Sequence, residues 1–153
     1  MPAPPLMAPL PLDSWPLWAG LASLFAALTA VLAKLGVRGI DPDLATLLRT
    51  LVVALCLAAI LLGFGRLQPG QLAGLPRASL LALFFSGLAT GVSWLCYFRA
   101  LSLGPVARVA PIDKLSVVLV AIFGVLFLGE RLEPTAWLGI ALMALGAVLV
   151  AWP

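Results

Sequence analysis

Two adjacent charges, Asp113 and Lys114, interrupt an otherwise apolar run in this 153-residue chain. The run opens near Pro105, so at about 1.5 Å per residue they lie roughly 12 Å along a helix, deep inside any bilayer that helix crosses. An ionisable group at that depth costs roughly 3 kcal/mol on insertion scales and marks a candidate contact for an ion or a solute. Asp113 is the one carboxylate within the long apolar runs. Pro111, two residues earlier, has no N–H to donate to the carbonyl of Ala107, which predicts a kink. If helix restarts at Pro111, Asp113 falls in its first turn, where the positive end of the dipole favours a carboxylate. Interrupted helices of this kind accompany binding sites in transporters. Side chains one residue apart diverge by about 100° on a helix, so each charge is expected to find its own partner or a wet cavity. The alternative is structural, with Asp113 capping the restarted helix and Lys114 snorkelling or pairing with a neighbour.

A second group of candidates lies in the preceding apolar run. Ser86, Gly87, Thr90, Gly91, Ser93, Trp94 and Tyr97 form a small and polar series there. Trp94 and Tyr97 share one helix face and can line a cavity while offering a polar edge to a substrate. Anchoring at the lipid interface competes with that role, most strongly for Tyr97 near the end of the run. Gly87 and Gly91 have the spacing of a close helix approach, and Gly139 and Gly146 form a second small-residue seam. That second seam suits dimerisation or packing within the bundle. Arg49, about 8 Å into another apolar run, either snorkels or meets Asp113; a structural role is expected.

Much other chemistry is excluded by composition. The chain has no histidine, which removes imidazole bases, zinc signatures of the HExxH type and imidazole-dependent triads. No catalytic residue is expected, and the chain does not read as an enzyme. Cys56 and Cys96 both fall in apolar runs without CxxC spacing and read as small packing residues. No metal and no cofactor is implied. The net charge of +3 comes from scattered single Lys and Arg residues, without the basic cluster that nucleic-acid binding needs.

The elements that must position these residues follow from hydropathy. Apolar residues make up 63% of the chain and charged ones 10%, a surface that lipid and not water must cover. A bilayer core needs about 20 apolar residues as helix, since unsatisfied backbone in lipid leaves only helices and closed barrels. Five segments qualify, at about residues 15–35, 44–64, 78–101, 105–128 and 135–151. None shows the period-two polarity of a transmembrane barrel. The expected fold is therefore all-α, a compact five-helix bundle in the membrane with short antiparallel connections. The turn-like Asp41-Pro42-Asp43 separates the first two spans, and Gly65, Arg66, Pro69, Gly70, Gly74, Pro76 and Arg77 separate the second from the third. Residues 1–14, with five prolines and no Lys or Arg, are expected to form a flexible tail ahead of a membrane domain at 15–153.

Five spans place the termini on opposite sides of the membrane. Arg66, Arg77 and Arg131 then lie on the N-terminal side, against Lys34, Arg38, Arg99 and Arg108 on the other, with Arg49 able to snorkel there. The charge bias is too small to orient the chain firmly. Insertion in both orientations would let two copies pair as an inverted repeat, an arrangement many transporters build into one chain.

The stretch from Trp94 to Val150 resembles the EamA domain of the drug/metabolite transporter superfamily. The match rests on Phe98 followed by Arg-Ala-Leu, on LGERL at 128–132, and on GxxLMxxGxxLV at 139–150. Arg49, early in its span after a polar turn, also fits. The resemblance implies one half of a ten-helix inverted-repeat fold, and hence a homodimer in the inner membrane, antiparallel if both orientations occur. It also implies transport of a small metabolite, amino acid or drug-like solute by alternating access. The glycine pair at 139 and 146 is similar to the last-helix motif of the small multidrug resistance branch, whose members dimerise there. That branch relies on a glutamate in its first span, which here holds no carboxylate. Asp113-Lys114 also replaces the more apolar, often Ser-Pro, stretch of many relatives. A different reading is a non-transporting subunit that packs against another membrane protein.

Overall fold

The computed structural model describes residues 14–66 and 74–152. Most of the expected tail, residues 1–13, and Pro69 and Gly70 of the long connection lie outside the described residues. Six helices make five spans: α1 (Trp15–Gly36), α2 (Pro42–Gly63), α3 (Arg77–Leu103), α4 (Val106–Asp113), α5 (Ser116–Leu128) and α6 (Pro134–Ala151). The fourth span is the pair α4 and α5, and each of the five is long and apolar enough to cross a membrane. Among the described residues there is no strand, so the expected all-α five-span fold is what forms.

Local chemistry sets the helix ends. Asp41 caps α2 by accepting from the backbone N–H groups of Asp43 and Leu44, both at 3.0 Å, and Pro42 fills the first helical position, where no N–H is needed. Asp43 adds a negative charge to that first turn, on the favourable side of the dipole. At the other end of α2, Gly65 takes a φ of +63°, and the Arg66 N–H reaches back to the Leu61 carbonyl. That reversal needs a left-handed residue, which glycine adopts without steric cost. Gly129 closes α5 in the same way at a φ of +69°, wrapping the chain so that Glu130 N–H donates to the Gly124 carbonyl. The Glu130 carboxylate then lies over Gly124, 2.6 Å from where a Cβ would stand.

The fourth span breaks later than Pro111 suggests. Pro111 sits inside α4, and the helix ends two residues beyond it. The missing proline N–H removes one rung of the ladder, and the chain responds downstream with tighter three-residue bonds. Lys114 N–H donates to Pro111 O at 3.1 Å and Leu115 N–H to Ile112 O at 3.0 Å. Asp113 therefore closes α4 instead of opening a restarted helix, which corrects the dipole argument made from sequence. A carboxylate at a helix C-terminus is disfavoured and needs a nearby cation.

α3 is the hub at one end of the bundle, with α1, α2 and α4 against it, while α6 packs on both α4 and α5. Ala33, Val37, Ala45, Phe98 and Leu101 form the buried cluster where α1 and α3 finish and α2 begins. Lys34 ties that end. Its ammonium donates to the carbonyls of Leu101 and Gly104, the latter at 2.8 Å, which have no further helix to pair with. Elsewhere the helices turn large apolar side chains outward, with Leu55 70% and Phe127 76% exposed. Such an apolar exterior suits lipid, not water.

Candidate functional site

Midway along the spans, α1, α3 and the α4–α5 break enclose a cavity of about 450 Å³, with Arg49 of α2 reaching into it. Thr29 comes from α1, Ser93, Trp94, Tyr97 and Phe98 from α3, and Asp113, Lys114 and Ser116 from the break. The four side chains expected to contact substrate thus line one cavity. Trp94 and Tyr97 meet there because three residues of helix return to one face, and the break turns Asp113 and Lys114 toward them.

The two charges at the break meet each other. Lys114 Nζ lies 3.1 Å from Asp113 Oδ2, so the expectation of separate partners is corrected. The helical divergence of neighbouring side chains does not apply across a non-α turn, and the long lysine stem folds back onto the carboxylate. Arg49 likewise does not pair with Asp113. Its guanidinium carbon sits 4.2 Å from the centre of the Trp94 ring and 5.7 Å from that of Phe98. Stacking on an aromatic face is worth about 0.5–2 kcal/mol and holds the cation in place without cancelling its charge.

Asp113 and Tyr97 serve more than this one space. Together with Ser93 they also line a cavity of about 460 Å³ between α3 and α4 that reaches Gly104 and Arg108. Pro111, Tyr97 and Lys114 border a third, of about 560 Å³, against the small residues of α1. Tyr97 is half-buried and packs on the core cluster. It borders all three cavities.

Other expected positions are placed differently. Gly87 and Gly91 have nothing within 4 Å of a built Cβ, so the close approach expected of them is not made within this chain. Helix α3 meets its neighbours near its C-terminal end, beyond these glycines. Gly139 and Gly146 are equally open, with nothing among the described residues within 4 Å of where a Cβ would stand, while neighbouring Ala147 is buried. Cys56 and Cys96 are exposed, not packed. Among the described residues no group of His, Cys, Asp and Glu could hold a metal. Phe98 and Thr29 were not expected at a site from sequence, although Phe98 lies four residues beyond Trp94 on one helix face and Thr29 is, with Ser23, one of two hydroxyls in an apolar span.

Five spans around a polar mid-depth cavity define a multi-pass membrane protein with room for a small solute. The chain belongs to the EamA-like transporter family, whose pattern matches residues 13–152. It is 57% identical over 140 residues to the "Uncharacterized transporter in cobO 3'region" of Sinorhizobium sp, covering 91% of this chain and 97% of that one. It is also 30% identical over 76 residues to the "Uncharacterized transporter YwfM" of Bacillus subtilis (strain 168), covering 50% of this chain and 26% of that protein. No solved structure gives a significant match.

Proposed function

We propose that two copies of this chain form a homodimeric transporter of the inner membrane, which carries a small metabolite, amino acid or drug-like solute by alternating access. The observation that carries the reading is the 450 Å³ cavity, where Arg49, Trp94, Tyr97, Asp113 and Lys114 converge at mid-depth. Its size is that of a small-molecule site, and a few polar groups against an apolar wall are what such sites contain. Family membership supports the transport class. The odd number of spans supports pairing, because one five-span unit becomes an inverted repeat only with a second copy. The Sinorhizobium relative is matched almost end to end by one such unit. The open seam at Gly139 and Gly146 gives α6 a surface for close helix approach to that copy.

Asp113 and Lys114 act in this reading as a paired contact at the hinge of the broken span, and Trp94 and Tyr97 as its aromatic wall. The test is solute uptake by purified protein in proteoliposomes, beside the Asp113→Asn variant. Uptake by the wild type and its loss in the variant, with the dimer intact on gel filtration, is the expected result; unchanged flux in the variant removes Asp113 from the mechanism. Labelling of single cysteines at both termini from both sides of the membrane tests the antiparallel pair. Obligatory co-purification with a different chain, without flux, replaces transport with the partner-subunit reading.

A further inference from the structure

The cavity carries an uncancelled positive charge, and we infer from it that the solute held there is a small organic anion with an apolar portion, a carboxylate being the simplest. This rests on the transport reading of the same site. Three ionised side chains line the cavity: Arg49, Lys114 and Asp113. The Asp113 carboxylate is engaged by Lys114 at 3.1 Å, so those two balance each other. Arg49 has ring faces at 4.2 Å and 5.7 Å and, among the described residues, no carboxylate partner. Rings orient a guanidinium but bring no counter-charge.

An uncompensated cation at this depth is costly, and the cost falls when an anion enters beside it. A guanidinium presents a planar fork of donors that fits two carboxylate oxygens at once, a geometry an ammonium cannot offer. Thr29 and Ser93 line the same cavity, and their hydroxyls can donate to an anion's remaining lone pairs. Phe25 and Ala26 of α1 supply an apolar surface for the rest of the molecule. A solute ammonium meets the opposite situation. It would compete with Lys114 for Asp113 while facing the Arg49 charge, so amines are disfavoured by the same residues.

The test compares phenylacetate, 2-phenylethanol and phenethylamine, which share a ring and a two-carbon arm and differ in charge. Equilibrium dialysis of the radiolabelled probes against the purified full chain in detergent gives their affinities. Phenylacetate is expected to bind about tenfold or more tighter than phenethylamine, with the alcohol between them, as one close charge contact warrants. Arg49→Gln is expected to abolish that order, and Arg49→Lys to keep its sign at reduced size. The wild-type comparison stands without either variant should they fail to fold. Equal affinities, a preference for the amine, or no binding of phenylacetate overturns the inference, and so does an Arg49→Gln protein that folds and keeps the full preference. Flux separates this from the transport reading: uptake of amines but not carboxylates keeps transport and removes the anion site. Binding of phenylacetate without uptake of any probe keeps the anion site and removes transport.

Discussion

At the end of the bundle where α1 and α3 finish, Leu101 is wholly enclosed, Phe98 is 3% exposed, and Lys34 closes two helix-end carbonyls. At mid-depth the same helices stand apart around cavities of about 450 and 560 Å³. The cavity wall begins one helical turn before the packed cluster ends: Trp94 and Phe98 face Arg49, while Phe98 and Leu101 fill the core. Fixed geometry at one end gives the helices a common pivot, and sparse packing elsewhere leaves room for movement about it. Substitutions at the packed end are therefore expected to cost stability, and those in the cavity to change flux or binding while the protein stays folded.

The largest effect on stability is expected at Leu101. Removing its side chain leaves a void that neighbouring helices can fill only by shifting, so Leu101→Ala should lower unfolding stability by about 3 kcal/mol. Titration with SDS from mixed micelles measures it. A loss as small as that of Leu55→Ala, whose side chain is 70% exposed, would show that the cluster is not what holds the helices together.

Lys34 comes next. In Lys34→Met the carbonyls of Leu101 and Gly104 lose their donor where water is scarce, at a cost of about 1–3 kcal/mol. The same titration reads it, and amide exchange should rise first in residues 101–106, where α3 passes into α4. Lys34→Arg, which keeps the donors, should recover part of the loss. An unchanged exchange pattern would mean that the cap is not what closes this end.

These two cases show what hydropathy can and cannot convey. The span limits were legible because lipid demands continuous apolar helix, and the expected 105–128 run corresponds to α4 and α5 together. Asp113, Lys114, Trp94 and Tyr97 stood out one by one because charge and polar aromatic edges are expensive in lipid, but that they line one cavity was not legible. The partner of Lys34 was not, since it lies 67 residues away on another helix. Nor were the outward faces of Gly87 and Gly91. In a soluble helix the polar side marks the exterior, but here both faces are apolar, so sequence does not show how each helix is rotated. The Asp113–Lys114 pair was missed for a local reason. The break falls beyond Pro111, and the divergence expected of neighbours assumes an unbroken α-helix.

At the opposite end, Gly129→Ala forces an ordinary residue into a left-handed turn, with an expected loss of about 1 kcal/mol. Gly124→Ala five residues earlier should cost less, although its Cβ would meet the Glu130 carboxylate at 2.6 Å. The obstacle is the tip of an exposed, flexible side chain, which can turn away. Measured together, the two separate backbone strain from crowding at one turn. A larger loss for Gly124→Ala would mean that the Glu130 carboxylate is held where it lies.

The smallest effect is expected from the ion pair at the packed end. Arg99 and Asp43 approach to 3.4 Å with their side chains 63% and 53% exposed. Water solvates both charges, and ordering two long side chains offsets most of their attraction, so Arg99→Gln should change stability by about 0.5 kcal/mol or less. Whatever remains should vanish in about 1 M salt, where screening reaches only ~3 Å. Lys34 lies at the same end and carries the same charge, but its partners are dipoles sheltered by packed helices, and its contribution should persist in that salt. A salt-sensitive Lys34 or a salt-resistant Arg99 would break the distinction. It rests on where each cation is solvated, and both side chains can be read by one titration at two ionic strengths.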